Sequence, residues 1–247
     1  MTLRVRAVRA IGATSMVILA ACGGTQSVPA RSNDQASNAP AVSASGSTVT
    51  DAPGADKGAT AARSRVLFIG TSLTAGFGLD PSEAFPALLQ AKADSLGLAV
   101  EMVNAGVSGE TSAGAVRRID WLLRSPADVI VIETGANDGL RALDVDSTRA
   151  NIDAIVARAK AVRPGAQILL VQMEAPRNLG IRYTASFHAM FPDIAKRYGA
   201  TLVPFLLDRV AGIRALNQED GMHPNLKGEQ IVAENVWRTL KPVVEGK

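Results

Sequence analysis

The chain predicts an α/β fold built in three layers, with helices on both faces of a parallel sheet. Two observations carry this. Short apolar runs rich in Val, Ile and Leu alternate with segments of helical pattern along residues 63–247. The runs are apolar without alternation, so both faces of each strand must be buried, as in a parallel sheet covered by helices. About 185 residues suit one domain with a sizeable core, and no internal repeat is present.

The elements follow in order. The first strand, 66–69, reads Val-Leu-Phe-Ile and runs into Gly70-Thr71-Ser72-Leu73; a helix is expected at about 82–96. The second strand, 99–103, runs into Asn104-Ala105-Gly106, with a helix at about 110–124. The third, 129–132, runs into Glu133-Thr134-Gly135-Ala136-Asn137-Asp138, with a helix at 147–162. Strands at 168–171 and 201–203 and helices at 185–198 and 226–241 complete the pattern. Sites in open parallel sheets form beyond the carboxyl ends of the strands. Three strands thus deliver small and polar residues to one edge, where glycine permits close backbone approach.

The N-terminus reads as an address rather than as fold. Arg4, Arg6 and Arg9 precede an apolar run over 10–21, too short to span a bilayer comfortably and of signal-peptide length. Leu19-Ala20-Ala21-Cys22 resembles a bacterial lipobox, which implies residues 1–21 as a signal peptide and Cys22 as a lipidated N-terminus. Cys22 is the single cysteine, so no internal disulfide can form. Residues 22–62 are mostly Ala, Ser, Gly, Thr, Pro and Asn, and cannot bury enough surface to offset their ordering entropy. A flexible tether of that length reaches roughly 35 Å. The expected location is the bacterial cell envelope, on its periplasmic face; Gly23 rather than Asp after the cysteine favours the outer membrane by resemblance.

The formal charge is +3, from 26 Lys and Arg against 23 Asp and Glu. Setting Arg4, Arg6 and Arg9 aside leaves 23 against 23, which argues against a nucleic-acid partner. One Cys and two separated His give no metal-ligand set, and no phosphate loop matches a nucleotide pattern. No cofactor is expected.

What remains is acyl-transfer chemistry. Ser72 is the candidate nucleophile; a serine hydroxyl needs a base within hydrogen-bond reach. A serine after a strand also commonly caps a helix or turn, and Leu73-Thr74 departs from the Gly-x-Ser-x-Gly elbow. Of the two histidines, His188 sits in a helical segment and reads as a solvated surface residue. His223 follows Asp220 by three residues, in a loop with Gly221 and Pro224. That spacing lets the carboxylate orient one imidazole nitrogen while the other faces outward; the alternative is a loop cap. The N–H groups of Ser72 and Gly106 and the amide of Asn137 are the natural oxyanion donors, although Gly106 and Asn137 can equally serve as turn residues.

Taken in order, Gly70-Thr71-Ser72-Leu73, Asn104-Ala105-Gly106, Gly135-Ala136-Asn137-Asp138 and Asp220-Gly221-Met222-His223-Pro224 resemble the four blocks of the SGNH (GDSL-type) hydrolases. The chain is most similar to their periplasmic thioesterase/lysophospholipase/arylesterase branch over 65–241. The resemblance implies a flavodoxin-like, five-stranded parallel sheet and metal-free ester or thioester hydrolysis. It implies Ser72 as nucleophile, Asp220 and His223 as its partners, and Gly106 and Asn137 at the oxyanion. The expected partner is a small-molecule or lipid ester, acted on by a monomer. Two rivals stand beside this reading: a polysaccharide O-acetylesterase with the same triad, and an inactive anchored binding module. One departure is Thr71, where the family usually carries Asp; a supporting role in the loop is expected of it. In the resembling branch, residues 177–183 border the substrate groove, so Leu179 and Ile181 are expected either to contact an acyl chain or simply to pack.

Overall fold

In a computed structural model of the protein, five parallel strands run in the order β2-β1-β3-β4-β5. The structure describes residues 63–246; the signal peptide, Cys22 and tether expected at 1–62 lie outside the described residues. The strands are β1 (Ser64–Gly70), β2 (Val100–Gly106), β3 (Val129–Ile132), β4 (Gln167–Val171) and β5 (Thr201–Val203). Between and after them run α1 (Ser72–Ala75), α2 (Phe85–Ser95), α3 (Ser112–Leu122), α4 (Ala136–Leu140), α5 (Val145–Val162), α6 (Ile181–Tyr198) and α7 (Leu226–Val244).

The unbroken apolar strands are buried on both sides. Val66, Phe68, Ile69, Ile130, Ile132, Leu169 and Leu170 are all sealed in the core. Each such side chain contributes roughly 1.5–3 kcal/mol by leaving water. The helices form the two outer layers: α3 packs on α5 and α5 on α6, while α2 packs on α7. Amphipathic α6 supplies Phe187, Met190, Phe191 and Ile194 to the core, and α7 supplies Val232, Val236 and Leu240.

Strand order reverses at β1, which has β2 on one side and β3 on the other. A crevice opens at such a reversal, beyond the strand ends. The sequence reading places all five strands. It misses α1 and α4, which have four and five residues and are too short to show a period. It also starts α6 four residues late; the helix begins at Ile181, after Gly180 at φ 85°.

Candidate active site

The turn after β1 carries Ser72. Thr71 is the N-cap of α1, and its hydroxyl accepts the N–H of Leu73 at 3.4 Å. Ser72, the first helical residue, is 9 % exposed. Its hydroxyl reaches His223 Nε2 at 2.9 Å across a separation of 151 residues. On the other side of the imidazole, Nδ1 lies 2.5 Å from Asp220 Oδ2.

The loop folds so for local reasons. Asp220 Oδ1 accepts the backbone N–H groups of Met222 (2.9 Å) and His223 (3.0 Å), and Gly221 takes φ 70°, which favours glycine. An isolated antiparallel bridge pairs Asn217 with Pro224, and Asn225 caps α7 through the N–H groups of Lys227 and Gly228. Gln218 ties the loop to the nucleophile turn by donating to the Phe77 carbonyl at 2.6 Å. The Phe77 ring lies against His223, with centroids 4.6 Å apart.

The hydrogen bond from His223, helped by the two backbone N–H groups, holds the Asp220 carboxyl down at about 2. An ionised carboxylate only accepts, so Nδ1 of a neutral imidazole carries the hydrogen. Nε2 then offers its lone pair to the Ser72 hydroxyl. This arrangement is a hydroxyl, a base and an orienting acid in register.

Of the predicted oxyanion donors, Asn137 reaches the cavity beside Ser72. It lies on α4, held by a hydrogen bond from Nδ2 to the Glu110 carbonyl at 3.0 Å. Its neighbour Asp138 is buried and accepts the N–H and hydroxyl of Ser112 at 2.8 and 2.6 Å, which fixes α4 against α3. Gly106 is not brought there. β2 stays in register through Gly106, paired with Gly70, and the Gly106 N–H donates to Asn104 Oδ1 at 2.9 Å. A Cβ at Gly106 would lie 2.3 Å from the Ala75 nitrogen, so this glycine lets α1 sit on β2. The chain turns three residues later. Gly109, at φ 76°, lines the cavity with Ser72 and Asn137, and its N–H has no acceptor among the described residues. The signal available in the sequence was the second glycine of Gly106-Val107-Ser108-Gly109.

A residue missed by sequence reasoning lies beneath the nucleophile. Glu133, at the end of β3, is 1 % exposed. Its Oε2 accepts the Thr71 N–H (2.8 Å), the Thr71 hydroxyl (3.0 Å) and the Thr74 hydroxyl (2.9 Å). Burial pushes its carboxyl above the ordinary value, against the pull of those donors. Thr71, the departure from the family block, is therefore the donor that joins the nucleophile turn to Glu133.

The cavity at the triad has a volume of about 1310 Å³. Leu73, Phe77, Leu140, Met173, Ile181 and Phe205 supply apolar wall. Ile181 thus meets the expectation of a groove residue. Leu179 does not; it packs against the core. His188 is exposed as expected, and its Nδ1 lies 2.6 Å from Glu174 Oε1. Among the described residues, no three His, Cys, Asp or Glu side chains are grouped to hold a metal ion.

With this geometry in place, the comparison with known proteins is direct. Residues 68–231 match the GDSL-like lipase/acylhydrolase family. The chain belongs to that family. Esterase TesA of Pseudomonas aeruginosa is 39% identical over 186 residues, spanning 74% of this chain and 91% of TesA. Thioesterase 1/protease 1/lysophospholipase L1 of Escherichia coli is 35% identical over 185 residues, spanning 74% and 86%. A crystal structure of TesA superposes with a TM-score of 0.69 over 72% of this chain and 98% of that one. A structure of the esterase EstA from Pseudoalteromonas sp., inhibited by monoethylphosphonate, gives 0.69 at 35% identity over 73% and 98%. The flavodoxin-like sheet of the GDSL-like hydrolases is the sheet described above.

Proposed function

We propose that the protein hydrolyses carboxylic esters and thioesters through an acyl-enzyme on Ser72. The observation that carries this is the unbroken line from Ser72 Oγ to His223 Nε2 (2.9 Å) and from Nδ1 to Asp220 Oδ2 (2.5 Å). The Ser72 oxygen attacks the acyl carbonyl while its proton passes to Nε2. The imidazolium is stabilised by ionised Asp220. The N–H groups of Ser72 and Gly109 and the Asn137 amide receive the developing oxyanion, each such donor contributing roughly 3–4 kcal/mol in the transition state. Protonated His223 then gives its proton to the leaving alcohol or thiol. Water, deprotonated by the same nitrogen, cleaves the acyl-enzyme and restores Ser72.

The cavity bears on the acyl group. Its volume of about 1310 Å³ and its apolar walls suit a chain much longer than acetyl. That supports an esterase, thioesterase or lysophospholipase over an O-acetylesterase of glycans. The aligned triad supports an enzyme over an inactive binding module. The names of the relatives, esterase TesA and thioesterase/lysophospholipase, point the same way. All proposed groups come from one chain, which supports action as a monomer. The signal-like residues 1–21, Cys22 and the polar stretch to residue 62 support lipid anchoring at the periplasmic face of a bacterial envelope.

An ester series from acetyl to palmitoyl tests the reading, with wild type and Ser72→Ala run side by side. Turnover should rise toward medium and long chains and fall at least about 10³-fold in the variant. Full activity in Ser72→Ala defeats the mechanism.

A further inference from the structure

A second cavity, of about 440 Å³, opens beside the first and shares Ser108 and Gly109 with it. Its remaining wall is Val107, Glu110, Thr111, Gly114 and three arginines: Arg117, Arg118 and Arg141. The arginines differ in what they already do. Arg118 is held by Glu110 through Nε (2.7 Å) and Nη2 (2.6 Å), and also donates to the Gly70 carbonyl. Arg141 gives one nitrogen, Nη2, to the Gly109 carbonyl at 3.0 Å and keeps its other donors. Arg117 is exposed, and its side chain has neither a hydrogen bond nor an ion pair among the described residues. Three arginines thus line the cavity with one glutamate, an excess of two positive charges. The Ser108 and Thr111 hydroxyls lie in the same wall.

We propose that this cavity binds a phosphate group carried on the alcohol or thiol half of the substrate, resting on the hydrolase reading above. The unengaged fork of Arg117 and the remaining donors of Arg141 match the several oxygens of a phosphate, which accepts bidentate pairs from arginine. The charge excess matches the one to two negative charges such a group bears. Placement agrees with the reaction. With the acyl carbonyl at Ser72 and Gly109 and its chain in the larger cavity, the leaving half passes over the shared Ser108–Gly109 wall. Arg117 then acts on binding, and touches neither the nucleophile nor its base.

The test uses two matched pairs: monoacylglycerol phosphate against monoacylglycerol, and an acyl-CoA against the acyl thioester of N-acetylcysteamine. Arg117→Ala should raise KM for a phosphate-bearing member about tenfold. Its kcat, and both constants for the neutral members, should stay within twofold of wild type. Arg117→Glu should exceed that loss, and added salt should narrow it. An effect in the glycerol pair alone assigns the site to a lipid headgroup; an effect in the thioester pair alone assigns it to the phosphates of coenzyme A. Equal changes in charged and neutral members, or no change in either pair, overturn the proposal. Ser72-dependent turnover of the neutral members would still stand in that event, so the two readings fail separately.

Discussion

Glu133 is buried and does not line the cavity, yet the nucleophile turn hangs from it. In Glu133→Leu, three donors lose the same acceptor atom: the Thr71 N–H and the Thr71 and Thr74 hydroxyls, at 2.8, 3.0 and 2.9 Å. Thr71 and Thr74 are 1 % and 0 % exposed, so water does not replace the carboxyl. A buried donor left unpaired costs about 1–3 kcal/mol. The backbone N–H cannot turn away and carries that cost in full; the hydroxyls can rotate and carry less. The sum is about 3–6 kcal/mol, a large part of the 5–15 kcal/mol typical of a domain.

A graded series keeps this readable even if the leucine variant does not fold. In Glu133→Gln the amide oxygen, standing at the Oε2 position, still receives the Thr71 N–H, while the NH₂ stands at the Oε1 position facing the Thr71 hydroxyl. That change should cost about 1 kcal/mol, as should Thr74→Val, which deletes one donor. Chemical denaturation supplies the stabilities, and the rate of Ser72 labelling by a fluorophosphonate reports the turn. Labelling should slow in the order Gln, then Leu, at concentrations where each variant is folded. If Glu133→Leu unfolds within 1 kcal/mol of wild type and labels at the wild-type rate, the carboxyl does not hold the turn.

Two further outcomes follow from ionisation. Glu229 of α7 is 1 % exposed and accepts the N–H of Phe85, the first residue of α2, at 2.9 Å; burial pushes its carboxyl up to about 8. Between its ordinary 4.5 and about 8 the folded chain holds a proton that the unfolded chain has released, so this group lowers stability as pH rises through that window. Glu229→Gln should therefore gain on wild type by a few kcal/mol between pH 5 and 8.5 in denaturation experiments; the same difference at both pH values refutes the burial argument. Asp220→Asn should lower kcat about 10²–10⁴-fold and leave KM near wild type, because Asp220 does not line the cavity. Whichever way the Asn amide turns, it either donates toward Nδ1, favouring the wrong tautomer, or abandons the Met222 and His223 N–H groups. A kcat within twofold of wild type would remove Asp220 from the mechanism.

The parts of the molecule that were legible in the sequence are those set by local chemistry. Val-Leu-Phe-Ile at 66–69 and Val-Ile-Val-Ile at 129–132 can only be strands buried on both faces, and their ends locate the crevice. Asp220 and His223 are three residues apart, and an Asx turn with Gly221 brings them together with little outside help. Gly106 fails for the opposite reason. Whether it ends the strand or leads the turn depends on its ladder with Gly70, 36 positions away, and no feature of Asn-Ala-Gly reveals that register. Arg117 was equally silent, because its use depends on which wall α3 presents beside the Gly109 turn.

Thr71 shows the same limit from the other side. Judged alone, it is a lost carboxylate in a family block. In the fold it is a donor whose acceptor comes from the end of a neighbouring strand, 62 residues on. The acid at this turn is thus placed by β3, which pairs with β1 from Val66 through Ile69 and leaves Glu133 as the next residue out. A side chain rooted in the sheet is tied to the rigid part of the molecule; one rooted in the turn moves with the turn. Anchoring Ser72 through Thr71 and Glu133 therefore couples the 2.9 Å contact with His223 to the sheet itself.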